Sequence, residues 1–151
     1  MIDLNTIENE MRVEEKFKYK GYNCIITLSD YGWRCGYIIL PNSHPLAHKE
    51  LHELTDIECH GGINYSDNTH SCFNLDGIGG GWIIGFSFDH FKDEYDLQAV
   101  KQVFGEKAYR EALEYMKNPV AIECHKDGRP VTTEIVKEEL QKVVDQIDNK
   151  S

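Results

Sequence analysis

The sequence predicts a single α+β domain, built from an antiparallel sheet of about five strands with helices packed on one face. Strand-like segments rich in β-branched and aromatic residues fill the first part of the chain, whereas helical periodicity dominates after Asp93. The length of 151 residues matches one domain, so residues 1–151 form one unit. We expect residues 1–16 to be a flexible or helical N-terminal extension.

The first two predicted strands are residues 22–28 (YNCIITL) and 33–40 (WRCGYIIL). The short connection between them, which contains Gly32, predicts an antiparallel hairpin. Pro41 ends the second strand, and Pro45 at a helix-start position predicts a helix of about two turns over residues 45–54. That helix would place His48 and His52 on one face, a spacing compatible with a metal ion and also with a solvated helix face.

Three further strands are predicted at residues 57–65, 72–75 and 82–90. The glycine-rich stretch 74–81 between the last two lacks the Lys-Ser/Thr of a phosphate-binding loop, and it predicts a hairpin turn. After Asp93, apolar residues recur every three to four positions, with a break at Gly105.

Near the C-terminus, residues 120–124 (VAIEC) predict a last strand, and residues 127–130 predict a turn. The final helix is predicted with Thr132 or Thr133 as its N-cap. Its apolar stripe is formed by Ile135, Val136, Leu140, Val143, Val144 and Ile147.

The charge balance argues against non-specific binding to nucleic acid. The chain carries 16 basic and 26 acidic residues, for a net charge of −10, whereas phosphate backbones require clustered lysine and arginine. The N-terminal sequence lacks the apolar core of a signal peptide, and no stretch approaches the length of a membrane span. We therefore expect a cytoplasmic protein whose five cysteines are reduced and mostly packed in strands.

His60, His90 and Asp93 are the candidate catalytic residues. His60 precedes two glycines, which permit a close approach of another group to the imidazole. The spacing of three between His90 and Asp93 would let the carboxylate orient the imidazole for acid–base work. The alternatives are a strand histidine satisfied by a carbonyl oxygen and a polar strand end that faces water.

A ligand-binding role is predicted for a second group of residues around the same pocket. His44 at a helix start would suit an anion, because the first N–H groups of a helix lack partners. The other candidates are Arg34, Lys49 and Trp82. A divalent metal is compatible with three imidazoles and one carboxylate, for which the candidates are His44, His60, His90 and Asp93.

Several motifs of this chain resemble those of a widespread family of uncharacterised phage and prophage proteins. Such proteins carry a C-G-Y strand, an HP-L turn followed by lysine, an HGG strand, a W-x-x-G-F…H-x-x-D segment and a terminal helix rich in Glu and Leu. The residues that carry the resemblance are Cys35-Gly36-Tyr37, His44-Pro45-Leu46, Lys49, His60-Gly61-Gly62, Tyr65, Trp82, Gly85-Phe86, His90, Asp93 and the helix IVKEELQKVVDQI. Two features depart from the pattern: Ser87 stands where the family has aspartate, and the glycine-rich stretch before Trp82 is atypical.

The resemblance implies a phage accessory protein that acts in the host cytoplasm. Accessory proteins of this size often counter host defence, some by binding or cleaving nucleotide signals. We therefore expect a small phosphorylated ligand, such as a nucleotide immune signal, that is bound and in one version hydrolysed. Two alternatives stay open: a protein–protein inhibitor of a host enzyme that uses the acidic surface and late helices, and a metal-dependent hydrolase. The sequence leaves open whether the chain forms a homo-oligomer.

Overall fold

The structure, a computed structural model, describes residues 11–68, 81–90, 93–125 and 128–150. Its strands are β1 (Met11–Tyr19), β2 (Tyr22–Ser29), β3 (Arg34–Leu40), β4 (Tyr65–Asn68), β5 (Trp82–Ser87), β6 (Asp93–Glu94) and β7 (Arg129–Pro130). Its α-helices are α1 (Leu97–Phe104), α2 (Glu106–Tyr115), α3 (Pro119–His125) and α4 (Thr133–Asp148), and a single turn of 3-10 helix spans Leu51–Glu53. The prediction of an α+β fold with a five-stranded antiparallel sheet is confirmed.

The main sheet has the strand order β1-β2-β3-β5-β4, and all of its pairings are antiparallel. β3 and β5 run side by side in the centre, with Leu40 opposite Trp82 at one end and Cys35 opposite Ser87 at the other. β6 and β7 form a separate parallel pair in which Asp93 lies opposite Arg129. The candidate site lies where β5 ends and β6 begins.

The larger core cluster lies between the sheet and α4. Side chains of Cys24, Ile26, Ile38, Ile84 and Phe86 face Val136, Leu140, Val143, Val144 and Ile147 of that helix, and all of them are at most 1% exposed. Burial of apolar surface on this scale is the main force that holds the helix against the sheet. The other face carries a smaller buried cluster: Ile25, Cys35, Tyr37, Ile39 and Ile83.

The predicted extension of residues 1–16 is wrong for residues 11–16, which belong to edge strand β1, and residues 1–10 lie outside the described residues. Met11, Val13, Phe17 and Tyr19 alternate with charged side chains, and a register shift between Val13 and Glu15 interrupts the pairing with β2. The alternation is a strand signal, although lysines and glutamates obscure it. The hairpin turn at Lys20 and Gly21 has positive φ at both residues, as two-residue turns require.

The predicted third strand and the predicted helix 45–54 were also wrong. Residues 57–64 run through turns and irregular backbone, and within the described range 57–68 it is Tyr65–Asn68 that joins the sheet. Residues 42–48 form turns and a bend and not a helix. His48 has φ of 65°, which a helix cannot contain. His48 and His52 therefore do not share a helix face.

Residues 120–124 belong to helix α3 and not to a last strand. Pro119 begins this helix and Asn118 accepts a hydrogen bond from the N–H of Val120, which is a helix-start arrangement that overrides the strand propensity of valine and isoleucine.

The predicted hairpin of residues 22–28 and 33–40, the break at Gly105 and the final helix agree with the structure. The predicted strand 82–90 ends at Ser87, and the described part of the predicted turn 127–130 includes strand β7. Gly105 separates α1 from α2, and Thr132 is the N-cap of α4, with its hydroxyl accepting from the N–H of Ile135. The predicted strand 72–75 and most of the glycine-rich stretch lie outside the described residues. Within the described residues, no helix combines the length and apolar character that a membrane span requires.

Candidate functional site

Asp93 is the centre of the candidate site. Its side chain is 1% exposed, which is rare for a carboxylate unless its oxygens are hydrogen-bonded or paired. Oδ2 accepts a hydrogen bond of 3.0 Å from the main-chain N–H of His90, and the main-chain N–H of Asp93 donates to the carbonyl oxygen of His90 at 3.0 Å. These two hydrogen bonds join Asp93 to His90 and hold the carboxylate at the start of β6.

The imidazole of His60 contacts the same carboxylate, with Nε2 of His60 2.7 Å from Oδ2 of Asp93. An ionised carboxylate only accepts, so Nε2 carries a proton, and in the neutral form of the ring Nδ1 is left as a proton acceptor. No described residue hydrogen-bonds to Nδ1. The ring also stacks on Phe88 at 4.4 Å between centroids, with an angle of 9° between the planes. His60 is thus held by an acid on its edge and an aromatic ring on its face.

The turn after His60 explains the paired glycines. Gly61 and Gly62 have φ of 72° and 81°, in the left-handed region that favours glycine. A Cβ at Gly61 would overlap the imidazole of His90, whereas a Cβ at Gly62 would have no heavy atom within 4 Å. The sequence predicted that another group approaches closely at this glycine pair. The approach is at Gly61, and the group is the imidazole of His90.

His90 completes the cluster with its ring 5.4 Å from that of His60, edge to face. Its Nε2 lies 3.8 Å from Oδ1 of Asp89, and that nitrogen is buried without a hydrogen-bond partner although the side chain is 38% exposed. The sequence spacing predicted that the carboxylate of Asp93 orients the ring of His90. That prediction is wrong. Asp93 holds the main chain of His90 and the ring of His60 instead.

Two residues at this site were missed by the sequence analysis. Nδ1 of His125 lies 2.7 Å from the main-chain oxygen of Asp93, and a terminal nitrogen of Arg129 lies 3.5 Å from Oδ1 of Asp93. The side chain of Arg129 is 68% exposed, so most of its guanidinium donors face solvent. The sequence predicts a strand over residues 120–124, directly before His125. No local sequence pattern links His125 or Arg129 to Asp93.

His44 does not join this cluster, which corrects the expectation that three imidazoles share one cavity. It follows Leu40, which pairs with Trp82 at the opposite end of β5 from Ser87. Five residue steps along a strand separate those two ends by about 17 Å. The ring of His44 is 7% exposed and lies edge-on to Tyr22, with Nδ1 accepting a 3.1 Å hydrogen bond from the N–H of Leu46.

Lys49 and Trp82 also lie at that distant end. The hydroxyl of Ser66 donates to the carbonyl oxygen of Lys49 at 2.7 Å and accepts from Nε1 of Trp82 at 2.8 Å. The ammonium group of Lys49 is 3.6 Å from Glu53, and the indole packs against the ring of His48. These contacts join two loops to the sheet and leave both residues outside the Asp93 cluster.

Arg34 lies at the Asp93 end of the sheet, but its donors are occupied by protein groups. Its guanidinium pairs with both oxygens of Glu14 at 2.7 and 3.1 Å, with Asp96 at 2.9 Å and with the carbonyl oxygen of Val131 at 2.8 Å. Burial opposes the charged form, yet the hydrogen bonds and charges of Glu14 and Asp96 raise the pKa of Arg34 overall. The predicted role in ligand binding is replaced by a structural one.

No family model, no curated protein and no solved structure matches the chain. The resemblance to phage and prophage proteins therefore stays a prediction. Among the described residues, no group of three or more His, Cys, Asp and Glu side chains is arranged to hold a metal ion.

Proposed function

We propose that the protein binds a small phosphorylated ligand beside His60 and His90 and that His60 acts there as a general base. The observation that carries the proposal is the 2.7 Å contact between Nε2 of His60 and the buried carboxylate of Asp93. This contact defines the tautomer and leaves Nδ1 to accept a proton, which is how a carboxylate prepares an imidazole for acid–base catalysis. Geometry of this kind supports hydrolysis as well as binding.

The groups around His60 and Asp93 favour an anionic ligand. The exposed guanidinium of Arg129 offers a fork of donors that matches phosphate oxygens, and His90 adds a second imidazole. Asp93 is covered by its own partners, so its charge is already compensated by protein groups. On a chain with a net charge of −10, such a group of donors would give a ligand anion a local site.

The biological role we propose follows from the resemblance to phage proteins. The ligand would be a nucleotide immune signal of the host, and the protein would act in the host cytoplasm as a counter-defence factor. Binding alone would sequester the signal, whereas attack of water activated by His60 would destroy it. Both activities would use the same residues.

The test incubates purified protein with a panel of cyclic dinucleotides, cyclic trinucleotides and cyclic ADP-ribose isomers, followed by chromatography of the nucleotides. Conversion to a new product identifies an enzyme, and tight binding with full recovery after heating identifies a sequestering protein. His60→Gln should abolish conversion, and the matched control His52→Gln should not, because His52 is exposed on the 3-10 helix. If no nucleotide of the panel is bound or converted, the proposal is wrong.

A second candidate function is inhibition of a host enzyme through a protein–protein interface. The observation that favours it is the apolar surface of α2 and α3, where Tyr115, Val120 and Ile122 are 45%, 70% and 53% exposed. Val120→Asp and Ile122→Asp would weaken an interface on this surface, and alanine at His60 and His90 would leave it intact. Binding of a nucleotide that depends on His60 would decide against this candidate.

A further inference from the structure

The interaction of His125 with the main chain of Asp93 defines a second tautomer in the site. Nδ1 of His125 lies 2.7 Å from the carbonyl oxygen of Asp93, and a carbonyl oxygen can only accept a hydrogen bond. Nδ1 of His125 therefore carries the proton. Asp93 thus contacts two imidazoles, and the protonated nitrogen is Nε2 in His60 and Nδ1 in His125.

The main chain at Asp93 is held on both sides: its N–H donates to the carbonyl oxygen of His90, and its carbonyl oxygen accepts from Nδ1 of His125. β6 is only two residues long and pairs with the two residues of β7. Pairs of such short strands are weak on their own. The ring of His125 is itself fixed by Tyr95, which lies 4.3 Å away between centroids. His125 therefore connects the end of helix α3 to the residue that orients His60.

We propose that His125 is a positioning residue, which holds the main chain of Asp93 so that the Asp93 carboxylate keeps His60 in the tautomer with a free Nδ1. His125 acts through Asp93 and does not need to touch the ligand. The consequence for catalysis rests on the proposed function. The effect on the tautomer of His60 does not rest on it, because that effect can be measured on the protein alone.

Three substitutions separate the position of the donor from the size of the ring. His125→Asn places an amide nitrogen near the position of Nδ1, His125→Gln places it near the position of Nε2, and His125→Phe keeps a ring to pack on Tyr95 without a donor. Nitrogen-15 NMR of the histidine rings reports which nitrogen is protonated in each variant. His52→Gln is the matched control, since His52 is exposed and far along the chain from Asp93.

In the native protein we expect a protonated Nδ1 for His125 and a protonated Nε2 for His60. The Phe and Gln variants should convert His60 to a mixture of tautomers, and the Asn variant should retain the native state. Where a nucleotide is converted, the Phe variant should lose about 100-fold in rate, as expected for a misplaced catalytic group, with less effect on KM. The Asn variant should recover most of that loss.

Three results would overturn the inference: a protonated Nε2 in native His125, an unchanged tautomer of His60 in the Phe variant, or equal behaviour of the Asn and Gln variants. If the Phe variant does not fold, as judged by circular dichroism, the native tautomer and the comparison of Asn with Gln still decide. If all the tautomers are as expected but no nucleotide is bound, the proposed function fails and the positioning role stands.

Discussion

Nε2 of His60 lies 2.7 Å from Oδ2 of Asp93, although the two residues are 33 positions apart in the chain. The carboxylate is 1% exposed and the histidine side chain 19% exposed, so the contact is largely shielded from water. Hydrogen bonds to a charged group in such a setting contribute more than those at the surface.

Asp93→Asn should lower stability and remove the proposed activity. The amide keeps the size of the side chain but loses the charge that pairs with His60 and Arg129. We expect a loss of about 1–3 kcal/mol in the free energy of unfolding, and a fall in any conversion rate of about 10²–10⁴-fold. Urea titration and the nucleotide assay measure the two effects. The control is Asp89→Asn, whose side chain is 41% exposed, and equal losses in both variants would contradict the central role of Asp93.

Gly61→Ala should displace the ring of His90, and Gly62→Ala should not. Both glycines have positive φ, so both substitutions cost about 1 kcal/mol from backbone strain. Only a Cβ at Gly61 meets the imidazole of His90, which adds about 1–3 kcal/mol from overpacking. Urea unfolding gives the stabilities, and the NMR signals of the His90 ring report its displacement. Similar values for the two variants would show that the close approach at Gly61 is absent in solution.

Arg34→Met should be among the most destabilising substitutions in the chain. It leaves Glu14 and Asp96 without their cation, and breaking a buried ion pair costs about 3–5 kcal/mol. The stability of Arg34→Lys should lie between that of the native protein and that of Arg34→Met, because lysine cannot form the bidentate pair with Glu14. Arg110→Met, at a side chain that is 76% exposed, is the control and should change stability by less than about 0.5 kcal/mol. Nucleotide binding lost in Arg34→Lys without a loss of stability would restore a ligand role for Arg34.

Cys24, Cys35 and Cys59 should resist alkylation in the folded protein at pH 8. Burial raises the pKa of the first two thiols to about 12 and that of Cys59 to about 11, so little thiolate is present. Mass spectrometry after iodoacetamide treatment should find these cysteines modified only in urea. Fast modification of Cys24 or Cys35 without denaturant would contradict the burial described for them.

The same thiols make stability depend on alkaline pH. Their pKa values are raised above those of the unfolded chain, so the folded protein retains protons that the unfolded chain releases. The stability that the protonated thiols contribute is therefore fully present below about pH 8.5. It is lost as the pH rises towards the pKa values of these thiols in the folded protein. Urea titrations at pH 7, 9 and 10 should show a falling free energy of unfolding, and Cys24→Ala should flatten that decline.

Local patterns in the sequence were sufficient to predict most of the regular structure. Residues 22–28 and 33–40 are rich in β-branched and aromatic residues and are joined by a short turn, which predicted their hairpin. The apolar stripe from Val136 to Ile147 is the face that α4 buries. These signals depend on residue types at nearby positions in the sequence, so they can be recognised without the tertiary structure. They were misleading where another local effect prevailed, as at Pro119, where a helix start overrides the strand propensity of VAIEC.

The site depended on contacts that no local pattern encodes. The sequence predicted His60, His90 and Asp93 as candidates for acid–base work from their types and flanking glycines, and the structure brings the three residues together. Only the tertiary structure decided which imidazole the carboxylate of Asp93 contacts, because the turn at Gly61 brings His60 to Asp93 while the ring of His90 points towards Asp89.

The strand register decided the fate of the other candidates. β3 and β5 run antiparallel, so the segment that follows Leu40 and the segment that follows Ser87 leave the sheet at opposite ends. His44 leaves at the first end and His90 at the second. The types of the residues determined what chemistry the chain can carry, and the direction of the strands determined which of those residues can act together.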